Sequence, residues 1–253
     1  MTSEIKYIGK FTSEINNKEK EDFLYVFNTV FDLDYDLNWF DWKYVENPYG
    51  ESYIVFAYEN ENIAAIRAFW RNDIDNNLSY QPCDTAVLKK YRGMGIFSKM
   101  TKLALDKVED AFIYNFPNEN SLPGYLKIGW EINKYGYLEK VISKSNLREK
   151  TKYIEDDYLI WKFSNSPLNK YYYTEIKGDF YLLTKRKNNI YYVLGRFNGE
   201  YRDNFKEAGS TILFNYTTEE TMMYKFFKNR ATIVSYKGNK KDLDIPIFKG
   251  DFF

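Results

Sequence analysis

Lys89-Lys90-Tyr91-Arg92-Gly93-Met94-Gly95 is the stretch on which the reading of this 253-residue chain turns. A strand-like run from about Ser79 to Leu88 precedes it. Ile96, Phe97, Met100, Leu103, Ala104 and Val108 follow at helical spacing. A strand, a glycine-bearing basic loop and an amphipathic helix, in that order, make a place for a phosphate. The glycines allow φ > 0 and close backbone approach. N–H groups at the helix start converge at the positive end of the helix dipole. Lys89, Lys90 and Arg92 add charge. A tight turn with a solvated basic rim is the plain alternative. The loop is neither a P-loop nor a three-glycine dinucleotide fingerprint.

Outward from this loop, the chain reads as β-α-α-β-β-β-α-β-α-β. Ile5, Tyr7 and Ile8 mark the first strand. A helix with Phe23, Val26, Phe27, Val30 and Phe31 on one face opens on a capping pair, Asn16 and Glu19. Leu37, Trp39, Phe40 and Trp42 mark a second helix that stops near Pro48. Tyr53–Tyr58 and Ile63–Trp70 flank a polar turn and read as a hairpin. After the loop and its helix, AFIYNF reads as a strand ending at Pro117. A short helix around Leu122–Ile128 leads into a β-rich stretch from Trp130 to about Ser143.

Ser143–Glu155 is polar and reads as a linker, giving domains 1–145 and 146–253. The residues beyond Glu155 echo the first half. Trp42-Lys43-Tyr44…Pro48 recurs as Trp161-Lys162-Phe163…Pro167, at a constant offset of 119 residues. Each copy precedes a Tyr-rich strand, a polar turn and another strand, as an internal duplication would. Strands are expected near 170–176, 178–186 and 189–197. A helix is expected over Glu219–Asn229 with Met222, Met223, Phe226 and Phe227 on its apolar side, then a last strand, ATIVSY.

Composition narrows the chemistry. Histidine is absent, which removes Ser-His-Asp triads, Cys-His pairs and His-ligated zinc. Acid–base work falls to Asp, Glu, Tyr, Lys or the one thiol. Cys83 is the sole cysteine, so there is no intramolecular disulfide or Cys-rich metal site, as suits a reducing cytosol. Lys+Arg and Asp+Glu both number 36, so charge argues for neither nucleic acid nor an anionic membrane as partner. The opening residues lack a signal pattern, no apolar run is long enough to span a membrane, and a cytoplasmic protein is expected. Aromatics make up 20% of the chain, an excess that function does not explain.

Two motifs in this order resemble the GNAT superfamily of acyl-CoA N-acyltransferases. Tyr91-Arg92-Gly93-Met94-Gly95 after a strand resembles the family's pyrophosphate loop, R/Q-x-x-G-x-G/A. Asn118, Ser121, Tyr125 and Gly129-Trp130 resemble its N-x-x-A/S…Y-x-x-x-G-F segment. The element order is also the family's. The motifs cover roughly residues 50–140. There is one departure: in the Arg92 register, Phe97 stands where the family has Gly or Ala. In the other register, Lys90 replaces Arg/Gln.

The resemblance implies an α/β (α+β) GNAT fold with a central mixed, mostly antiparallel sheet, plus a second, smaller GNAT-like half. It implies acetyl-CoA as acyl donor and no metal. Backbone groups of Arg92, Gly93, Met94, Gly95, Ile96 and Phe97 would hold the pyrophosphate. The strand through Val87 and Leu88 would meet pantetheine, with Asn118 and Ser121 on its other side. Tyr125 would protonate the departing thiolate. The base is Asp84, on the strand that would flank the acyl group; Asp251 is a second choice. Asp84's alternative is an ion-pair role. Cys83 is set aside as a nucleophile, because alternation puts it on the opposite face from Asp84. The second half lacks the motif, so one acyl-CoA site is expected, with that half completing the acceptor pocket. Trp161 and Tyr171–Tyr173 there suit either a sugar or the core.

The expected activity is transfer of an acetyl group to a small-molecule primary amine, an amino sugar by preference, by direct attack in a ternary complex. The expected protein is a monomer or homodimer, with no nucleic-acid or membrane partner. A Fem-like aminoacyltransferase and a non-catalytic acyl-CoA-binding protein are the alternatives.

Overall fold

Asn16 Oδ1 accepts the Glu19 amide and Glu19 Oε2 accepts the Asn16 amide, both at 3.0 Å. The first helix therefore opens on the capping box its sequence spells. The computed structural model describes residues 4–142, 147–209, 212–228, 230–236 and 243–250. By contacts it divides into two compact units, one built on Met1–Asn115, the other on Phe116–Ser235 with Asp244–Phe253.

The first unit runs β1 (Ile5–Phe11), α1 (Asn17–Phe31), α2 (Leu37–Phe40) with a π-helical turn (Asp41–Val45), β2 (Tyr53–Glu59), β3 (Asn62–Arg71), β4 (Ser79–Val87), α3 (Ile96–Lys107) and β5 (Phe112–Asn115). β1 to β4 form an antiparallel meander, and β5 lies parallel to β4. β2 and β3 are buried along most of their length, as their Val, Ile, Ala and Phe content requires. Phe23 and Phe27 of α1 pack against Trp39, Phe40 and Tyr44, with ring centroids 5.2–6.4 Å apart. Much of the aromatic excess goes into such packing.

The second unit runs α4 (Leu122–Lys127), β6 (Trp130–Lys140), α5 (Leu147–Lys150), α6 (Asp156–Tyr158) with a π-helical turn (Leu159–Ser164), β7 (Tyr171–Ile176), β8 (Asp179–Lys187), β9 (Ile190–Phe197), a 3-10 turn (Gly199–Asn204), β10 (Lys206–Glu207), β11 (Ile212–Thr217), α7 (Met222–Phe227) and β12 (Arg230–Tyr236). Its strands lie in the order β12-β6-β11-β9-β8-β7-β10. β11 is parallel to β9, as β5 is to β4, so the second unit repeats the architecture of the first.

Three expectations change. The polar stretch 143–155 is not a linker where it is described: α5 lies within it, and Leu147, Thr151 and Ile154 are buried. Leu147 packs with Ile176, Tyr181, Leu183 and Val193. The division by contacts falls after Asn115 rather than at 145/146, because β6 ladders with β11. The apolar residues Met222, Phe226 and Phe227 of α7 are exposed rather than buried. Trp161 and Tyr171 take the core option, Trp161 against Tyr158 at 5.7 Å and Tyr171 against Phe163 at 4.9 Å. Among the described residues, no helix is long and apolar enough to cross a membrane.

Candidate active site

The basic loop hangs between β4 and α3. Tyr91 donates its hydroxyl to Glu59 Oε2 at 2.9 Å, which ties the loop's base to β2. Arg92 Nε donates to the Val87 carbonyl at 3.1 Å. Gly93 and Gly95 have φ of +82° and +72°, and a Cβ at either would meet nothing within 4 Å. These positions need glycine for backbone conformation, and the space above them is open. Gly95 is the N-cap of α3 and brings no side chain to it, so the first-turn amides are left for another acceptor. A cavity of about 380 Å³ adjoins the loop. Thr85 and Val87 of β4, the loop residues Arg92, Gly93 and Gly95, and Phe97 border it.

Phe97, the departure from the family pattern, lines this cavity and lies 4.5 Å beneath the buried guanidinium of Arg67. Its side chain faces inward, and it adds nothing to the loop's backbone curvature. Ile96 lines the cavity too, whereas Met94 is exposed beside it. Leu88 closes the strand by donating its amide to the Ala64 carbonyl at 3.0 Å.

β4 pairs with β5 only at Ser79 and Tyr80, opposite Phe112 and Ile113. Beyond that point the two strands part. Asn115 Nδ2 still reaches the Pro82 carbonyl at 2.9 Å. From Cys83 onward, the edge of β4 that faces β5 lacks a ladder to that strand. β4 is also bulged there. Ala68 stands opposite Cys83 and Ile66 opposite Ala86, so Asp84 and Thr85 share Arg67 as partner. Asp84 takes φ of +43°, a left-handed conformation that Asp tolerates better than most residues.

The bulge turns Asp84 toward the π-helical turn. Lys43 Nζ lies 2.8 Å from Asp84 Oδ2, with both side chains almost wholly buried. Tyr44 donates its hydroxyl to the same oxygen. Both contacts fall on Oδ2. Oδ1 has no hydrogen-bond partner among the described residues. Tyr44 Oη also lies 3.7 Å from Cys83 Sγ. The expectation that Cys83 and Asp84 face opposite ways therefore fails, because the bulge breaks the alternation on which it rested. Of Asp84's two readings, the ion-pair partner is present, and it is Lys43 rather than the loop lysines. Lys43, Tyr44 and Arg67 were not foreseen as site residues. The available signal was a lysine inside an aromatic helix, repeated at Lys162.

The remaining candidates lie in the second unit. Asn118 Oδ1 accepts the Ser121 amide at 2.9 Å, and the Ser121 hydroxyl donates to the Asn118 carbonyl at 3.2 Å, a turn that starts α4. Tyr125 is buried and meets Trp130 edge to face at 4.8 Å. Gly129, with φ of +94°, turns the chain from α4 into β6 and so sets that pair. Asp251 lies outside the described residues.

No family model and no curated protein matches the chain. Solved structures do. A GCN5-related N-acetyltransferase (GNAT) from Kribbella flavida superposes with a TM-score of 0.57 at 9% identity, covering 92% of this chain and 71% of that one. Another from Anabaena variabilis gives 0.56 at 12% identity, with 92% and 73% covered. The chain has the GNAT fold. At these identities the likeness concerns architecture. It extends through the second GNAT-like half, since each match takes in nearly the whole chain. In GNAT terms, the bulged β4, its parting from β5 and the glycine loop all belong to the first unit.

Proposed function

We propose that this protein is an acyl-CoA-dependent N-acyltransferase that uses acetyl-CoA and transfers the acetyl group to a small-molecule primary amine. The observation that carries the reading is the glycine loop Arg92–Phe97 with its open cavity, at the end of a strand that parts from its neighbour. The loop amides and Arg92 suit a pyrophosphate, and the unladdered β4 edge near Val87 and Leu88 suits pantetheine amides. Asn118 and Ser121 are assigned to pantetheine by motif, and Tyr125 is assigned as the acid that protonates the leaving thiolate. That thiolate needs little help, since an ordinary thiol pKa is about 8.5. Asp84 Oδ1 is assigned as the acceptor of the amine's proton. An amino sugar is the first acceptor class to test, in a ternary complex with direct attack.

Thermal denaturation with CoA and acetyl-CoA tests the reading. At a hundred times its Kd, the ligand adds about 2.7 kcal/mol, and Tm rises by roughly 5–10 °C. No rise at millimolar CoA rejects it. Thiol release from acetyl-CoA with amino sugars, polyamines and amino acids then reports turnover. Tyr125→Phe with unchanged turnover at every pH removes Tyr125 from the acid's role. The engagement of Asp84 by Lys43 favours a second reading, a protein that binds acyl-CoA without turnover. A thermal rise with no thiol release across the panel would select it.

A further inference from the structure

The Trp-Lys-aromatic segment occurs twice, and its two lysines have different partners. Lys43 and Lys162 both sit in π-helical turns, and both are buried. Each holds its ammonium over two rings of its own segment: Trp39 and Tyr44 at 5.4 and 5.7 Å, Tyr158 and Phe163 at 5.6 and 5.7 Å. A buried ammonium is costly unless it is paired, so its partners show what it is kept for. Lys162 donates to the carbonyls of Gly250 at 2.8 Å and Phe248 at 3.2 Å, which ties down the C-terminal segment. Lys43 meets a carboxylate on a bulged strand. Tyr44 supplies a hydroxyl to the same oxygen, and the second copy has Phe163 there, with no hydroxyl to give.

We propose that Lys43 and Tyr44 are positioning residues for proton transfer. Together they keep Asp84 ionised, occupy Oδ2 and leave Oδ1 as the accepting atom, whereas Lys162-Phe163 is the purely structural form of the same element. The proposal rests on the acyl-transfer reading above. In the step concerned, the amine nitrogen bonds to the thioester carbonyl carbon and the carbon–sulfur bond breaks. The nitrogen's proton goes to Asp84 Oδ1. CoA leaves as the thiolate and takes up a proton. The groups facing Asp84 are Lys43 and Tyr44 from the π-helical turn, Cys83 on its own strand, and Arg67 on β3. The Arg67 guanidinium donates to Thr85 Oγ1 at 2.6 Å. The buried carboxylate of α1, Asp22, is engaged by Lys18 and Tyr58.

Loss of the Lys43 cation removes the opposite charge that favours ionised Asp84, so the carboxyl titrates at higher pH. The test has two arms on the full chain. Carboxyl-carbon NMR, with the Asp84 signal assigned by Asp84→Asn, follows its titration in wild type, Lys43→Met, Lys43→Arg and Lys162→Met. We expect Lys43→Met to raise the midpoint by about one pH unit or more, Lys43→Arg to restore it and Lys162→Met to leave it unmoved. In turnover, Lys43→Met lowers kcat about tenfold and moves the acidic limb of kcat/KM to higher pH, with KM for acetyl-CoA held within about twofold. Tyr44→Phe, which keeps the cation and the fold, lowers kcat with KM unchanged.

An Asp84 midpoint unchanged in Lys43→Met overturns the proposal, as does an equal shift in Lys162→Met. If Lys43→Met does not fold, Lys43→Arg and Tyr44→Phe carry the test, and wild-type kcat in Tyr44→Phe overturns it. A wild type that neither binds nor consumes acetyl-CoA overturns the acyl-transfer reading, and the proton-transfer role with it. An active wild type with an unmoved midpoint overturns the positioning role alone.

Discussion

In the first unit, the strand that ends at Val87 runs into a glycine loop and a twelve-residue helix before the next strand, parallel to it, begins. In the second, the strand that ends at Phe197 runs into a six-residue 3-10 turn and a two-residue strand before its own parallel partner, β11. Both halves share the aromatic helix, the buried lysine, the π-helical turn and the hairpin. They part at the phosphate-binding step. An anion site needs a helix start with unpaired amides, and only the first half has kept one after this strand. Packing can thus preserve a duplicated scaffold after its ligand-facing loop is lost. Aromatic rings around a buried lysine hold the copy together without help from a ligand.

The two halves differ most in what their lysines hold, and the largest effect is expected there. Lys43→Met strands the Asp84 carboxylate in the interior and should cost about 3–5 kcal/mol in urea unfolding. Lys162→Met strands backbone carbonyls and should cost about 1–3 kcal/mol. Equal losses would mean that Asp84 is no more dependent on its partner than a carbonyl. Adding Asp84→Asn to Lys43→Met should recover part of the loss, and a strictly additive double mutant would deny the coupling.

The next contrast sets loop glycines against a turn glycine. Gly93 and Gly95 in the loop and Gly178 in the second-half hairpin all have positive φ and open space where a Cβ would go. Alanine at any of the three should cost about 1 kcal/mol of stability through backbone strain. Only Gly93→Ala and Gly95→Ala should also weaken CoA binding, by about tenfold or more, measured by calorimetry. A similar loss with Gly178→Ala would remove the loop from the site.

The smallest effect concerns carboxylates. Asp244 in the second unit pairs with Lys152 at 2.6 Å and with Lys134. Burial alone would raise its pKa, but the hydrogen bonds and charges of Lys134 and Lys152 outweigh it and hold the group below its ordinary value. A folded-state pKa below the unfolded one gives stability that is present above the ordinary carboxylate range and is lost as pH falls through the lowered value. Asp244 is more than half exposed, so screening limits the gain to below about 1 kcal/mol. Asp244→Asn should flatten the fall of Tm between about pH 4 and 2 by a degree or two. An unchanged slope would show that this pair contributes nothing, in contrast to the buried pair of the first unit.

The element order was legible because each signal was local. Asn16 and Glu19 cap α1, Asn60 turns the hairpin with φ of +55°, and Gly93 and Gly95 take the positive φ that their motif implies. The offset between the Lys43 and Lys162 segments was also legible, and both proved π-helical. What escaped was non-local. Nothing near Asp84 in sequence announces Lys43, some forty residues away, because that meeting depends on a bulge that alternation cannot encode. The polar stretch at 143–155 looked like a linker because its buried residues, Leu147, Thr151 and Ile154, are too sparse to give a period.

β6 carries a further consequence, for the order in which the molecule can be made. By chain position this strand closes the first half, yet Tyr137 pairs with Thr217, eighty residues further along, and β12 flanks its other side. A nascent chain that has just released Lys140 holds a strand whose neighbours have not been synthesised. The duplicated halves therefore cannot mature one after the other as independent modules. A cut at 145/146 would separate two pieces that each lack a strand, and leave β6 with bare edges open to mispairing.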